Sequence, residues 1–303
     1  MVDMKILFNE PQDSAVSIES PPKKSWEASL MLGFEKSEVN TKTILRNKLH
    51  HGPLLVQKTL YPENNEVCHA VILHPPAGIA GGDHLKIETH LAKDTKVVIT
   101  NPGATKWYKA NKFPSSQLIR ITLEEGAYLD FLPQENIFFD ETIANSHIQV
   151  HLNSNASMIG WDISQFGRSI FGEPWANARF DSDIELYLNH RLMWIEKNQL
   201  LSEDVALHTQ PLLDKKRVMG VMWMSSPNAS QDMLEAISEH LPWREDIRCG
   251  ATKIELSSEY GVILIRALAD EVESLKECFI DVWLKNRLAI SGLAPMELRL
   301  WKT

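Results

Sequence analysis

The residues of this sequence best suited to chemistry are three carboxylates set among glycine, proline or apolar residues. Asp83 ends segment 74–83 (HPPAGIAGGD), where two prolines and three glycines predict a rigid turn followed by unusual backbone dihedrals. Asp162 (in GWDI) and Glu196 (in LMWIE) interrupt runs that are otherwise apolar. A carboxylate buried without a partner is strongly destabilising, so each of these side chains either faces water or serves a purpose.

Two segments that contain proline and glycine, 74–83 and 101–108 (NPGATKWY), predict tight corners between strands. The first contains neither a Walker-type loop nor GxGxxG, and no lysine follows its glycines, which excludes a phosphate-binding loop. In the second, Lys106 has the charge to pair with a carboxylate such as Asp83. The residues that we expect to shape these corners are His74, Pro75, Pro76, Gly78, Gly81, Gly82, Gly103 and Lys106.

Eleven histidines raise the question of a metal site. The ligand spacings typical of structural zinc sites are absent, as are HExxH and the GxSxG nucleophile elbow. Three cysteines, Cys68, Cys249 and Cys278, are too scattered for a CxxC pair or a disulfide framework. We therefore predict no fixed metal site and no tightly bound cofactor. Spacing alone leaves the choice between enzyme and non-enzyme open.

The elements that position these residues are predicted to be short strands. Apolar and polar residues alternate in four segments, as a half-buried strand requires. These segments are 85–91, 118–123, 147–152 and 183–188. Asn189-His190 predicts a hairpin turn between the last of them and residues 191–197.

Helical periodicity is confined to the C-terminal part of the chain. Residues 270–291 carry apolar side chains at three- and four-residue spacing, and Asp270 with Glu273 resembles a capping box at their start. The other C-terminal predictions are a helix over 230–241 and a strand pair over 246–256 and 259–268, joined at Tyr260-Gly261.

These patterns predict a mainly β protein, with many short strands in packed sheets and about two α-helices in the C-terminal part. The sheets are expected to form a sandwich or a helix-like stack. We divide the chain into a polar leader over 1–25, a β-rich body over 26–212, and a smaller α+β section over 213–303 packed on the body. No internal repeat of fixed period is found, so the sequence does not support a regular solenoid.

The charge of the chain argues against several classes of partner. Thirty-one Lys and Arg against forty Asp and Glu give a net charge of −9, which disfavours nucleic acid. No apolar run reaches the length of a membrane helix, and charges interrupt the N-terminal segment where a signal peptide is apolar. We therefore expect a cytoplasmic protein without a membrane partner. Residues 121–167 contain no Lys or Arg, which fits either solvated turns or an acidic channel for a cation.

Several motifs, taken in order, resemble those of the UreD (UreH) family of urease accessory proteins. They are GPLLVQ at 52–57, HPPAGIAGGD at 74–83, NPGATKWY at 101–108, LPQENIFFD at 132–140, GWD at 160–162 and FGR at 166–168. The resemblance extends from about Pro22 to Thr303. Ala77 stands where the family usually has glycine, which predicts a backbone there that is not strongly left-handed.

The resemblance implies a non-catalytic scaffold. Members of this family bind the accessory protein UreF, which recruits the GTPase UreG, and the assembly delivers Ni²⁺ to apo-urease. The resemblance also implies an internal acidic tunnel for nickel, a transient cargo, with Asp83, Asp162 and Glu196 along it. Trp283 and Trp301 in the C-terminal section are one candidate for the UreF-binding surface, although aromatic residues of a helix more often belong to the core.

Carboxylates suit such a role because oxygen ligands bind late first-row metal ions more loosely than thiolate and imidazole do. Two other classes of function stay open. A carboxylate-dependent hydrolase built on Asp83 and Glu135 predicts turnover by the isolated chain. A nickel-storing metalloprotein that uses the histidines predicts tight, stoichiometric binding of Ni²⁺.

Overall fold

The computed structural model describes residues 25–302, except 65, 169–170, 205–208, 210–211 and 258–259. The strands of the N-terminal half are β1 (Glu27–Lys36), β2 (Thr43–His51), β3 (Leu55–Leu60), β4 (Val67–Leu73), β5 (Gly78–Ile79), β6 (His84–Leu91), β7 (Lys96–Thr100), β8 (Thr105–Trp107), β9 (Ser115–Leu123), β10 (Tyr128–Phe131) and β11 (Asn136–Phe138). They are followed by β12 (Ile143–Leu152), β13 (Ser157–Phe166), β14 (Arg179–Leu188), β15 (Arg191–Leu201), β16 (Val218–Ser226), α1 (Gln231–Ser238), β17 (Ile247–Ser257), β18 (Tyr260–Ala269) and α2 (Val272–Ser291). A short 3-10 helix spans Arg299–Lys302.

The strands stack in a solenoid-like arrangement of two sheets. In the seven-stranded sheet, β1, β6, β9, β12 and β14 lie side by side in parallel. In the eleven-stranded sheet, β4, β7, β10 and β13 do the same, and the short β5, β8 and β11 form a parallel row. Each circuit of the chain from β6 to β11 therefore adds one strand to the seven-stranded sheet and two to the eleven-stranded sheet, the second of them in the short row. The predicted mainly β stack is confirmed.

Circuits of unequal length explain why the sequence has no repeat of fixed period. His84 of β6 lies beside Ser116 of β9, whereas Ile143 of β12 lies beside Arg179 of β14. The two members of the first pair are fewer residues apart in the sequence than the two members of the second. A search for a constant period cannot find such a stack. The irregularity agrees with the expectation against a regular solenoid.

The two sheets are buried differently, and their sequences reflect this. The seven-stranded sheet has one face on the core and one on solvent, so β6, β9, β12 and β14 alternate as predicted. The eleven-stranded sheet is covered on one face by the other sheet and on the other by α2. Its inner strands β16 and β18 are therefore buried along most of their length. One hydrophobic cluster fills the space between the sheets, and a second lies under α2.

The C-terminal strands continue the eleven-stranded sheet by antiparallel pairing, β16 with β13, β18 with β16, and β17 with β18. The helix α2 begins at Val272, and its N-cap residue Glu271 makes no side-chain capping bond. The predicted capping box of Asp270 and Glu273 is therefore wrong. The Asp270 carboxylate instead accepts hydrogen bonds from Nζ of Lys216 at 3.0 and 3.1 Å.

The other local predictions hold with shifted ends. The hydroxyl of Ser230 caps the first turn of α1, which ends before the predicted boundary. Asn189 and His190 both adopt positive φ in the turn between β14 and β15, as a tight hairpin requires. Tyr260 and Gly261, predicted as turn residues, instead pair with β17 as part of β18.

Two predictions from the sequence are left open by this fold. The leader over 1–25 lies, except for its last residue, outside the described residues, and the division at residue 213 stays a prediction. Among the described residues, no helix is long and apolar enough to cross a membrane.

Candidate functional site

A cavity of about 200 Å³ lies between the two sheets. Apolar side chains from both sheets, among them Ile87 and Phe131, form much of its wall. Asp162 and His74 are the only titratable side chains among the described residues that line it. Apolar walls with a few converging polar groups are typical of a binding or transit site. We refer to this space as the Asp162 cavity.

Asp162 reaches the cavity from β13, while its neighbour Trp161 faces the opposite side of the sheet, under α2. Its Oδ1 accepts a hydrogen bond from Nδ2 of Asn136 at 3.0 Å, and Ser164 makes a further hydrogen bond to the carboxylate. The indole N–H of Trp107 donates to Oδ1 of Asn136 at 3.0 Å, which leaves the amide NH₂ to face Asp162. No ion pair to this carboxylate is present in the described part of the chain.

Burial raises the pKa of Asp162 to about 6, and the hydrogen bonds from Asn136 and Ser164 offset this only in part. At neutral pH the group is therefore largely ionised, although it lies in a cavity with apolar walls. A cation that enters meets a carboxylate without a positively charged partner. Near the pKa, the cation competes with one proton for the site.

His74 is the second titratable group of the cavity. Its Nε2 atom is buried and has no hydrogen-bond partner in the described structure. Burial lowers the pKa of His74, and the nearby Asp83 opposes this by raising it. The imidazole is therefore neutral at pH 7 and retains a lone pair for an incoming donor or a metal ion.

Asp83 is buried, with 4% of its surface exposed, but it does not line the Asp162 cavity. Its Oδ1 accepts the backbone N–H of Trp26 at 2.8 Å, and its Oδ2 accepts that of Ala80 at 2.9 Å. The carboxylate thus ties the start of β1 to the corner before β6. Both oxygens are already used by the backbone, which makes Asp83 a turn-stabilising residue in this state.

Glu196 lies away from both aspartates, in a separate cleft of about 680 Å³ between β15 and the C-terminal strands. Arg266 of β18 donates to both of its oxygens, with 2.6 Å from Nη2 to Oε2 and 2.9 Å from Nε to Oε1. This ion pair neutralises the carboxylate. The three carboxylates singled out in the sequence therefore occupy three different environments.

The residues of the two predicted corners do form tight backbone turns. Gly82 has a φ of +88°, and a Cβ on Gly81 would lie 1.9 Å from the carbonyl oxygen of Ala110, so both positions require glycine. Ala77 has a φ of +60°, which contradicts the prediction that the backbone there is not left-handed. The cost of that conformation for alanine is about 1 kcal/mol and is tolerated in a corner fixed by its neighbours. Lys106 forms no ion pair in the described structure with Asp83, whose carboxylate oxygens each accept one backbone N–H.

The sequence analysis missed a buried charged cluster centred on Arg287 of α2. Arg287 is fully buried and donates to Asp130 Oδ2 through Nε at 2.8 Å. Its two terminal nitrogens donate to the Glu63 carboxylate at 2.7 and 2.8 Å, and Glu63 also contacts Nε2 of His69 at 2.7 Å. Trp283 completes the set by donating its indole N–H to Asp130 Oδ1 at 2.8 Å. We call these five residues the Arg287 cluster.

The Arg287 cluster fastens α2 to the eleven-stranded sheet. Burial raises the pKa of the Glu63 carboxyl, but hydrogen bonds from His69 and Arg287 outweigh this and bring it to about 2. Trp283 is fully buried, as the core interpretation of this helix expects, so its side chain is not exposed for UreF in the free chain. Trp301 packs against it at 5.8 Å between ring centroids. An arginine on the apolar face of an amphipathic helix was the sequence signal for this cluster.

The acidic residues of segment 121–167 do not form one surface. Asp130 belongs to the Arg287 cluster, Asp162 lines the cavity, and Glu135 lies 3.5 Å from Nζ of Lys276. Glu135 and Asp83, the pair proposed for a hydrolase, thus have separate partners. Within the described residues, no group of three or more His, Cys, Asp or Glu side chains is arranged to hold a metal ion.

Comparison with known proteins identifies the family. The sequence profile of the UreD urease accessory protein family matches residues 27–302. This chain belongs to that family. The match includes both sheets, α2 and all three predicted carboxylates. The resemblance inferred from the motifs is therefore confirmed.

Individual UreD relatives align with this chain along nearly their whole length. Urease accessory protein UreD of Polynucleobacter asymbioticus is 38% identical over 295 residues, covering 97% of this chain and 99% of that protein. The UreD of Cupriavidus pinatubonensis is 41% identical over 290 residues, covering 96% and 98%. The UreD of Bordetella pertussis is 35% identical over 278 residues, covering 92% and 98%.

Proposed function

We propose that this chain is a non-catalytic urease maturation factor of the cytoplasm, which passes Ni²⁺ to apo-urease through the Asp162 cavity. In this role the chain binds apo-urease and UreF, and UreF brings the GTPase UreG into the complex. Membership of the UreD family supports a role in urease maturation. Nickel is cargo here and not a resident cofactor.

The observation that carries the nickel route is the state of Asp162. It is an ionisable carboxylate inside the protein, with hydrogen bonds from neutral side chains and no ion pair in the described structure. An ionised group in apolar surroundings is destabilising without a counter-charge, so the cavity favours a cation. The fold does not need this ionised carboxylate, which lowers its stability. A role in binding a cation would explain why the residue is present.

The chemistry of the cavity favours weak, reversible binding. A transit site must release the ion, and a single carboxylate holds a late first-row metal ion less tightly than a set of thiolates and imidazoles. The unpartnered Nε2 of His74 adds one nitrogen donor to the lining of the same cavity. One imidazole and one carboxylate offer the ion a partial coordination shell, which water completes.

Asp83 and Glu196 have different parts in this proposal. Both are bound to other groups in the free chain, Asp83 to backbone N–H groups and Glu196 to Arg266. Either carboxylate accepts nickel only after those bonds open. We therefore assign the principal cation site to Asp162, and we propose that binding of apo-urease or UreF frees the other two.

The test is nickel loading of urease in cells that express the structural subunits and all other accessory proteins. The arms are no UreD-family chain, the wild-type chain, Asp162→Asn, and the control Glu125→Gln. Glu125 is an exposed carboxylate paired with Lys93 at the surface. We expect nickel-free urease without the chain, full loading with the wild type and the control, and at least a tenfold loss of nickel with Asp162→Asn.

Co-purification of each variant with UreF separates the two halves of the proposal. Loading of urease without the chain would contradict the maturation role itself. Full loading with an Asp162→Asn chain that still binds UreF would contradict the nickel route and leave the scaffold role standing. Turnover of a hydrolysable substrate by the isolated chain would instead favour an enzyme.

A further inference from the structure

Two of the three cysteines lie next to each other although they are far apart in sequence. Cys249 of β17 and Cys278 of α2 have their Sγ atoms 3.8 Å apart. Cys249 is buried with 5% of its surface exposed, whereas Cys278 is partly exposed. Neither residue belongs to the Asp162 cavity or to the Arg287 cluster. The pair joins the edge strand of the eleven-stranded sheet to a helix that packs mainly on β13, β16 and β18.

The surroundings distinguish the two thiols. The hydrogen bond between the thiols lowers the pKa of Cys278, and the positive charges of Arg244 and Lys285 act in the same direction, while burial and Asp281 oppose them. The pKa of Cys249 is raised, first by its hydrogen bond to Cys278 and then by burial. Cys278 is thus both the more accessible and the more acidic thiol, as an initial nucleophile needs to be.

We propose that Cys249 and Cys278 form a reversible disulfide when the protein meets a peroxide, so that oxidation cross-links β17 to α2. The Cys278 thiolate attacks one peroxide oxygen, the O–O bond breaks, and sulfenic acid forms as hydroxide leaves and is protonated to water. The Cys249 thiol then attacks the Cys278 sulfur, the S–S bond forms, and the sulfenic oxygen leaves as water with the thiol proton. Each sulfur loses one electron, and the peroxide takes up both.

The separation of the two sulfur atoms favours this step. A disulfide has an S–S distance of about 2.05 Å, so the two sulfur atoms must approach by less than about 2 Å, within the reach of side-chain rotation. A cross-link at this position adds a covalent attachment of α2 to the sheet, nine residues before Arg287 in the same helix. Oxidation is therefore expected to hold the C-terminal helix in place and to raise resistance to unfolding.

The experiment treats the reduced full-length chain with increasing hydrogen peroxide. We expect the free thiols to fall from three to one per chain, the mass to fall by two hydrogens, and peptide mapping to recover a Cys249–Cys278 linked pair. Dithiothreitol should restore all three thiols. The oxidised chain should also unfold at a higher urea concentration than the reduced chain.

Three variants serve as controls. Cys68→Ser removes the buried cysteine of β4 and should still lose two thiols, whereas Cys278→Ser should form no intramolecular cross-link. In Cys249→Ser, the sulfenic acid on Cys278 should persist and be trapped by dimedone. Disulfide-linked dimers, a sulfinic acid on Cys278 of the wild type, or no loss of thiols under native conditions would each overturn the proposal. The wild-type measurements decide this even where a variant folds poorly.

Discussion

Asp130 and Asp162 lie on the neighbouring strands β10 and β13, yet they face opposite sides of the eleven-stranded sheet. Asp130 lies under α2, where its oxygens accept hydrogen bonds from Arg287 and Trp283. Asp162 lies between the sheets, where its partners are the neutral side chains of Asn136 and Ser164. One carboxylate has a buried counter-charge, and the other has none among the described residues.

This difference distinguishes a carboxylate that stabilises the fold from one that is available to bind a ligand. For Asp130 the fold supplies a cation as well as a neutral donor, because Arg287 and Trp283 donate to its two oxygens. For Asp162 the described structure supplies neutral donors and no cation, and we propose that this carboxylate binds an ion from outside. Burial alone does not distinguish the two cases, whereas the charge of the partner does.

The largest effect is expected from breaking the Arg287 cluster. Arg287→Ala leaves Asp130 and Glu63 buried without their cation, which should lower the free energy of unfolding by roughly 3–5 kcal/mol. Urea unfolding followed by tryptophan fluorescence measures this. The matched control is Lys285→Ala, on the exposed side of α2, whose ion pair with Asp281 should be worth only about 0.3–0.5 kcal/mol.

Equal stability of these two variants would contradict a structural role for the Arg287 cluster. The comparison of Asp130 with Asp162 would then be supported only by the observations on the Asp162 cavity.

At Asp162 we expect an effect of intermediate size, and removal of the charge should raise the free energy of unfolding. The pKa of about 6 in the folded state lies above the ordinary value of about 3.9, so ionisation destabilises the fold as pH rises through this range. Asp162→Asn removes that cost and should be more stable than the wild type at pH 7.5 by up to about 3 kcal/mol. The gain should be small at pH 4, where the carboxyl is protonated in the folded state and about half protonated in the unfolded state, and it should disappear below about pH 3.

Urea unfolding of both chains at pH 4, 6 and 7.5 tests this dependence. A variant that is less stable than the wild type at pH 7.5 would indicate that Asp162 is a structural charge like Asp130. A gain in stability together with a loss of nickel loading is the combination that the proposal requires.

The smallest effect is expected at the cleft. The side chain of Arg266, which pairs with Glu196, is about half exposed, at 48%, so solvent weakens this ion pair. Glu196→Gln should therefore lower the free energy of unfolding by only about 0.2–1 kcal/mol. The loss should be smaller still in about 0.5 M salt, which screens exposed charges strongly. A loss of stability as large as that of Arg287→Ala would indicate that Glu196, like Asp130, is a structural charge.

Much of the fold was predictable from local pattern. The alternation in 85–91 and 183–188 predicts strands with one face in solvent, and the order of the motifs indicates the family. Both signals lie in short segments of consecutive residues and need no knowledge of distant contacts. The capping box at Asp270 failed for the opposite reason. Its carboxylate is engaged by Lys216, which lies 54 residues earlier in the chain.

The candidate site was predictable only in part. Asp162 was found because a carboxylate in an apolar strand is locally conspicuous. Asp83 was selected because it ends the corner rich in proline and glycine, but its oxygens are taken by the backbone of Trp26 and Ala80, a use that no spacing reveals. Asp130 has equally apolar neighbours and was not selected as a site, although its partner Arg287 makes it the most firmly held of these aspartates.

The sequence by itself determined that this protein is a mainly β member of the UreD family, with several carboxylates inside apolar surroundings. Only the tertiary structure decided which carboxylates are neutralised. Asp130 meets a guanidinium 157 residues away, and Glu196 meets another 70 residues away, while Asp162 meets only neutral donors. The physical reason is that the energy of a buried charge depends on the few groups within a few ångströms of it. In a stack of unequal circuits, those groups come from distant parts of the chain.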